Sequence, residues 1–150
     1  MTTSMRNSSG LSSTRPVISA AEAKEVLQAA EAKAAEIGIP VVIVVVDDAG
    51  DLKAMLRMDG TPKVAIQWAI DKAITAASFR APTHALAQAM EGAPSSAIAS
   101  VMAQPHATLA PAGYPLVIDG MVTGAIGASG GTPEQDQVVA QAGAAALGGA

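Results

Sequence analysis

The sequence predicts an α+β domain: helices packed on a five-stranded antiparallel sheet. Two turn signals, Asp47-Asp48-Ala49-Gly50-Asp51 and Asp119-Gly120, each join two β-type segments. Helical periods with capping signals flank these pairs. The element order reads α-β-β-α-α-(α)-β-β-β-α, with strands in runs rather than alternating with helices, which argues against a doubly wound parallel sheet.

Ser19 opens the first helix and Glu22 completes a capping box. Ala20, Ala23, Val26, Leu27, Ala30, Ala34 and Ile37 recur at helical spacing until Gly38 and Pro40 stop the helix. Val41–Val46 is β-branched and too continuous for a strand with one wet face, so it reads as central. A second strand follows from Leu52 to about Arg57. Thr61-Pro62 reads as an N-cap followed by proline at the first helical position, starting a helix that runs to about Phe79. Pro82 breaks the pattern, Thr83 caps a shorter helix, and Pro94 starts a weak helical turn. Thr108–Ala110 reads as a short strand. Tyr114–Ile118 and Met121–Ala128 form a hairpin through Asp119-Gly120, a type I′ signal. Thr132-Pro133 and Gln135 start the last helix with a second capping box.

The chain has 150 residues, enough for one domain with its own core. Residues 1–16 are polar and Ser/Thr-rich, without an apolar run of signal-peptide length, and read as a disordered tail before a single domain over 17–150. Half of the residues are hydrophobic but only Trp68, Phe79 and Tyr114 are aromatic, so the core must be aliphatic and alanine-rich. With a mean hydropathy of +0.35, the chain is expected to bury surface between subunits as a homo-oligomer. A net charge of −4 with no Lys/Arg cluster argues against a nucleic-acid partner. No segment is long enough to span a membrane, and the expected location is the cytoplasm. Absence of cysteine removes disulfides, thiolate metal sites and cysteine nucleophiles. The two histidines share no short spacing, so no metal site is expected.

"MVTGAIGASGG", residues 121–131, carries a literal G-x-S-x-G at Gly127–Gly131. A nucleophile elbow needs a histidine after the serine, whereas His84 and His106 both precede it. A dinucleotide fingerprint needs other glycine spacing and a parallel strand, and a Walker loop needs Gly-Lys-Ser/Thr. Two readings stay open. The amides of Ser129–Thr132 could seat an anion before the final helix, or the glycines could let another element approach the strand.

Other candidates are scattered. Arg57 suits a carboxylate clamp beside Asp59, or a surface ion pair at a strand end. Lys72 shares a helix face with Trp68 and Phe79, either snorkelling or lining a pocket as a cation. His106 is a loop histidine suited to acid–base work or axial ligation. His84 is read as locally satisfied, and Glu22 with Glu25 as a solvated helix face.

Together, "VVIVVVDDAGDLKAMLRMDG", "AIDKAITAASF" and "GYPLVIDGMVTGAIGASGG" resemble the GlcG/HbpS-like family, which also supplies the C-terminal part of PduO-type corrinoid adenosyltransferases. The likeness covers about residues 17–147. Positions matching family motifs are Arg57, Asp59, Gly60, Lys72, Ala73, Asp119, Gly120, Gly127, Ser129, Gly130 and Asp136. Relatives commonly carry Gly-Gly-x-Pro before the fourth strand, where this chain reads Pro111-Ala112-Gly113-Tyr114-Pro115. The resemblance implies a profilin-like five-stranded sheet, oligomeric assembly, and haem or a related tetrapyrrole as ligand, with degradation of that haem as an extension. On that basis Arg57 and Lys72 would meet propionates, His106, Tyr114 or Met58 would approach iron, and Ser129 and Gly130 would line the site. A second expectation is a cofactor-free isomerase, lyase or hydrolase acting on a small carboxylate or carbonyl compound. Arg57 and the 129–132 amides would then hold the substrate, and His106 or Asp59 would move a proton. A third is a non-catalytic accessory subunit.

Overall fold

The computed structural model describes residues 13–148. It contains α1 (Ala20–Ile37), β1 (Val42–Asp47), β2 (Leu52–Arg57), α2 (Val64–Phe79), α3 (Thr83–Met90), α4 (Ser95–Met102), β3 (Gly113–Ile118), β4 (Met121–Ser129) and α5 (Pro133–Ala145). The strands form one fully antiparallel sheet in the order β2-β1-β4-β3. Helix α2 packs on one face, against β4, β3 and β1. Helices α1 and α5 pack on the other face and against each other.

The sheet therefore has four strands rather than five. Thr108–Ala110 does not join the ladder because hydroxyls take its amides. Thr108 N donates to Thr75 Oγ1 at 3.1 Å, and Ala110 N donates to Thr108 Oγ1 at 3.1 Å. Of the expected tail, residues 1–12 lie outside the described residues. The part from residue 13 to 16 is irregular, and Arg15 Nε pairs with Asp48 Oδ2 at 2.9 Å. Ile18 N then donates to Thr123 O at 3.0 Å, docking the chain onto β4 ahead of α1.

Most local signals act as their chemistry dictates. Both capping boxes form, at Ser19/Glu22 and at Thr132/Gln135, satisfying amides that have no intrahelical partner. Gly38 ends α1 in the left-handed region. Asp119 and Gly120 both have positive φ (51° and 78°), as a type I′ turn requires. Val41–Val46 are at most 1% exposed, covered on both faces as a central strand should be.

Two helix starts differ from expectation. Helix α2 begins at Val64, because the Thr61 hydroxyl donates to Met58 O at 2.8 Å and closes the turn after β2 instead of capping. Thr83 lies inside α3, where its hydroxyl accepts from Gly113 N at 3.0 Å and ties that helix to β3.

The seam between α2 and the sheet explains the glycines. Ala65, Ala69, Ala73 and Ala76 line the buried side of α2. A Cβ on Gly127 would collide with the Ala69 carbonyl oxygen and the Ala73 amide nitrogen. Of the two readings left open for the stretch, close approach is the one the packing shows at Gly127. Gly130 sits at φ 142°, and a Cβ there would meet Pro40 O at 2.6 Å. No helix among the described residues is long and apolar enough to cross a membrane.

Candidate functional site

Four of the expected residues fall on the α1–α5 side of the sheet or at its edge. Arg57 and Asp59 line a shallow groove with Glu31 and Ala35 of α1. Met58 packs against the core cluster formed with α1 and α5. Tyr114 belongs to that same cluster and borders a groove with Gln141 of α5. Burial raises its pKa above the usual 10.0, partly offset by the Gln141 side chain. The Tyr114 ring lies 5.6 Å from that of His84. Among the described residues the buried His84 Nδ1 has no hydrogen-bond partner.

Lys72, Ser129 and Gly130 meet on the α2 side. They line a cleft of about 350 Å³, with Trp68, Pro111 and Asp136 also in its wall. Lys72 does not snorkel. It is 5% exposed, and its Nζ donates to Ala128 O at 2.8 Å and to Asp136 Oδ2 at 3.1 Å. Asp136, 4% exposed, accepts from Gly131 N through Oδ1 at 2.8 Å. Burial raises the Asp136 pKa above its ordinary 3.8, outweighing the charge of Lys72 and the backbone amides.

The amides before α5 are consequently filled from within. Gly131 N is taken by Asp136, and Thr132 N by Gln135 Oε1 at 2.9 Å. An external anion finds no open donors at these two positions. Ser129 ends β4, is 2% exposed, and is no strained elbow.

His106 stands apart from Asp59, over the outward side of α2. Its Nδ1 lies 2.9 Å from Asp71 Oδ1, which also accepts from Gln67 Nε2 at 2.8 Å. In the neutral imidazole, a proton on Nδ1 directed at the Asp71 carboxylate leaves Nε2 with a free lone pair. The residue holds φ 63°, unusual for a non-glycine. Thr75 fixes that backbone: its hydroxyl donates to His106 O at 3.1 Å and accepts from Thr108 N. Trp68 and Val64 lie one and two turns earlier on α2, 55% and 52% exposed. Asp71 and Thr75 were missed by the sequence reading, because their link to His106 spans more than 30 positions.

The model of the family described as haem degrading protein HbpS-like matches residues 18–145. The chain belongs to this family. An uncharacterised 15.0 kDa protein from the dhaT-dhaS intergenic region of Citrobacter freundii is 39% identical over 124 residues, 83% of this chain and 87% of that one. The solved complex of PduOC with haem superposes with a TM-score of 0.79 at 32% identity, covering 87% of this chain and 95% of that one. HbpS of Streptomyces reticuli, solved as a double mutant, superposes at 0.83 with 29% identity, covering 93% of each chain. The chain thus shares the α+β fold of these HbpS-like structures.

Proposed function

We propose that this chain binds haem or a related tetrapyrrole on the outer side of α2, with His106 Nε2 meeting the iron. The observation that carries the reading is the His106–Asp71 contact of 2.9 Å. A carboxylate holding one imidazole nitrogen fixes the tautomer and raises the basicity of the other, the arrangement that metal-ligating histidines use. The haem-bound relative of similar fold supports the ligand class. Exposed Trp68 and Val64 supply an apolar surface for a flat macrocycle. The cleft beside them, at about 350 Å³, is at the small end of the ~300–1,000 Å³ typical of enclosed ligand sites.

Bound haem would supply a redox-active iron; the chain's own residues hold, orient and shield it. Met58 and Tyr114 do not contribute in this reading, since they pack on the opposite side of the sheet. Lys72 is already paired and has at most one donor for a propionate. The exposed apolar side chains Leu52 and Met55 of β2 fit a chain that also self-associates. Titrating the purified protein with hemin should give a saturable Soret shift. A linear, unsaturable change would refute the reading. Decay of that band under reductant and oxygen would extend the function to haem degradation, and a stable band would limit it to binding.

A further inference from the structure

The haem reading leaves the floor of the Lys72 cleft without a role. That floor is polar, formed by Lys72, Ser129 and Asp136. Lys72 Nζ has three N–H donors; two are used, by Ala128 O at 2.8 Å and Asp136 Oδ2 at 3.1 Å. Lys72 lines the cleft, and the third donor has no protein acceptor among the described residues. Each Asp136 carboxylate oxygen already accepts one bond, Oδ1 from Gly131 N and Oδ2 from Lys72 Nζ. Ser129 pairs with Val42, whose side chain packs toward α2, so the Ser129 hydroxyl is on the same side of the sheet as Lys72. The walls are apolar: Pro62, Val64, Trp68 and Pro111.

Charge decides the ligand class. Lys72 and Asp136 cancel within the site. A carboxylate would place a second anion on one ammonium between apolar walls, where an uncompensated charge is costly. A neutral acceptor meets no such penalty. We propose that this cleft binds a small uncharged molecule bearing a carbonyl oxygen, with the oxygen accepting from Lys72 Nζ and Ser129 Oγ and the flat body lying against Trp68.

Trp68 is the only tryptophan in the chain, so its fluorescence reports directly from the wall of the cleft. Benzamide, benzoate and toluene are titrated at neutral pH into protein free of hemin, which keeps the outcome independent of haem binding. Benzamide should give a saturable change, with benzoate and toluene at least about ten-fold weaker, the worth of one charge-assisted hydrogen bond. Lys72→Met should weaken benzamide by about ten-fold or more. Ser129→Ala, which disturbs no ion pair, should weaken it a few-fold while circular dichroism stays native. No saturable change with benzamide would overturn the proposal. So would toluene binding as tightly as benzamide, benzoate binding more tightly, or benzamide affinity unchanged in folded Ser129→Ala and Lys72→Met.

Discussion

Two residues hold His106 in place. Asp71 holds Nδ1 and thereby presents Nε2, while Thr75 fixes the carbonyl of a histidine at φ 63°. Replacing Asp71 by Asn should weaken hemin binding by about 10–100-fold, the usual cost of losing a carboxylate behind a metal-ligating histidine. It should also move the haem reduction potential, which a merely structural residue would leave alone. Hemin titration and spectroelectrochemistry check both. Gly127 matters for packing alone. Gly127→Ala should destabilise by about 1–3 kcal/mol in urea unfolding, because the added methyl meets the Ala69 carbonyl of α2. None of these contacts could be read along the chain. His106 and Asp71 are 35 positions apart, and only the fold lays the loop over that turn of α2.

At the scale of elements, the Lys72–Asp136 pair joins α2, the end of β4 and the first turn of α5. Burial outweighs the ammonium and holds Asp136 above its ordinary 3.8. A carboxyl with a raised folded pKa binds its proton more tightly when folded. Its contribution favours the fold fully below the unfolded value and is lost as pH rises through the folded one. Lys72→Met removes the attraction that restrains this shift. The variant should lose about 3–5 kcal/mol at neutral pH, and much less in acid, where a protonated Asp136 needs no cation. Urea unfolding of wild type and variant across acidic and neutral pH tests this; a cost independent of pH would contradict it.

Local chemistry made most elements legible in advance. Capping boxes, the Gly38 stop, the β-branched run and the Asp119-Gly120 turn depend on neighbours within a few positions. The failures came where a distant partner intervened. Thr75, on α2, takes the amide of Thr108 and keeps that segment out of the sheet. Thr61 and Thr83 carry good capping side chains, yet Thr61 closes a turn and Thr83 binds Gly113. The ion pair links positions 64 apart, beyond any periodic signal, although both residues were identified through the family resemblance.

The whole molecule is a three-layer unit with uneven coverage. Helix α2 covers β1, β4 and β3 but leaves β2 open, with Leu52 61% and Met55 37% exposed. This β2 surface should bring copies of the chain together. Sedimentation velocity should show an assembly larger than a monomer, and Leu52→Lys with Met55→Lys should shift it toward the monomer without loss of secondary structure. A monomer at micromolar concentration would remove that expectation.

Haem binding through His106 is most directly tested by the Soret spectrum of hemin-titrated wild type beside His106→Ala. The wild-type chain should show a saturable, shifted band, and the variant should lose the shift or require at least ten-fold more hemin to reach it. An identical saturable band in the variant would contradict His106 as the ligand. No saturable band in the wild type would contradict haem binding altogether.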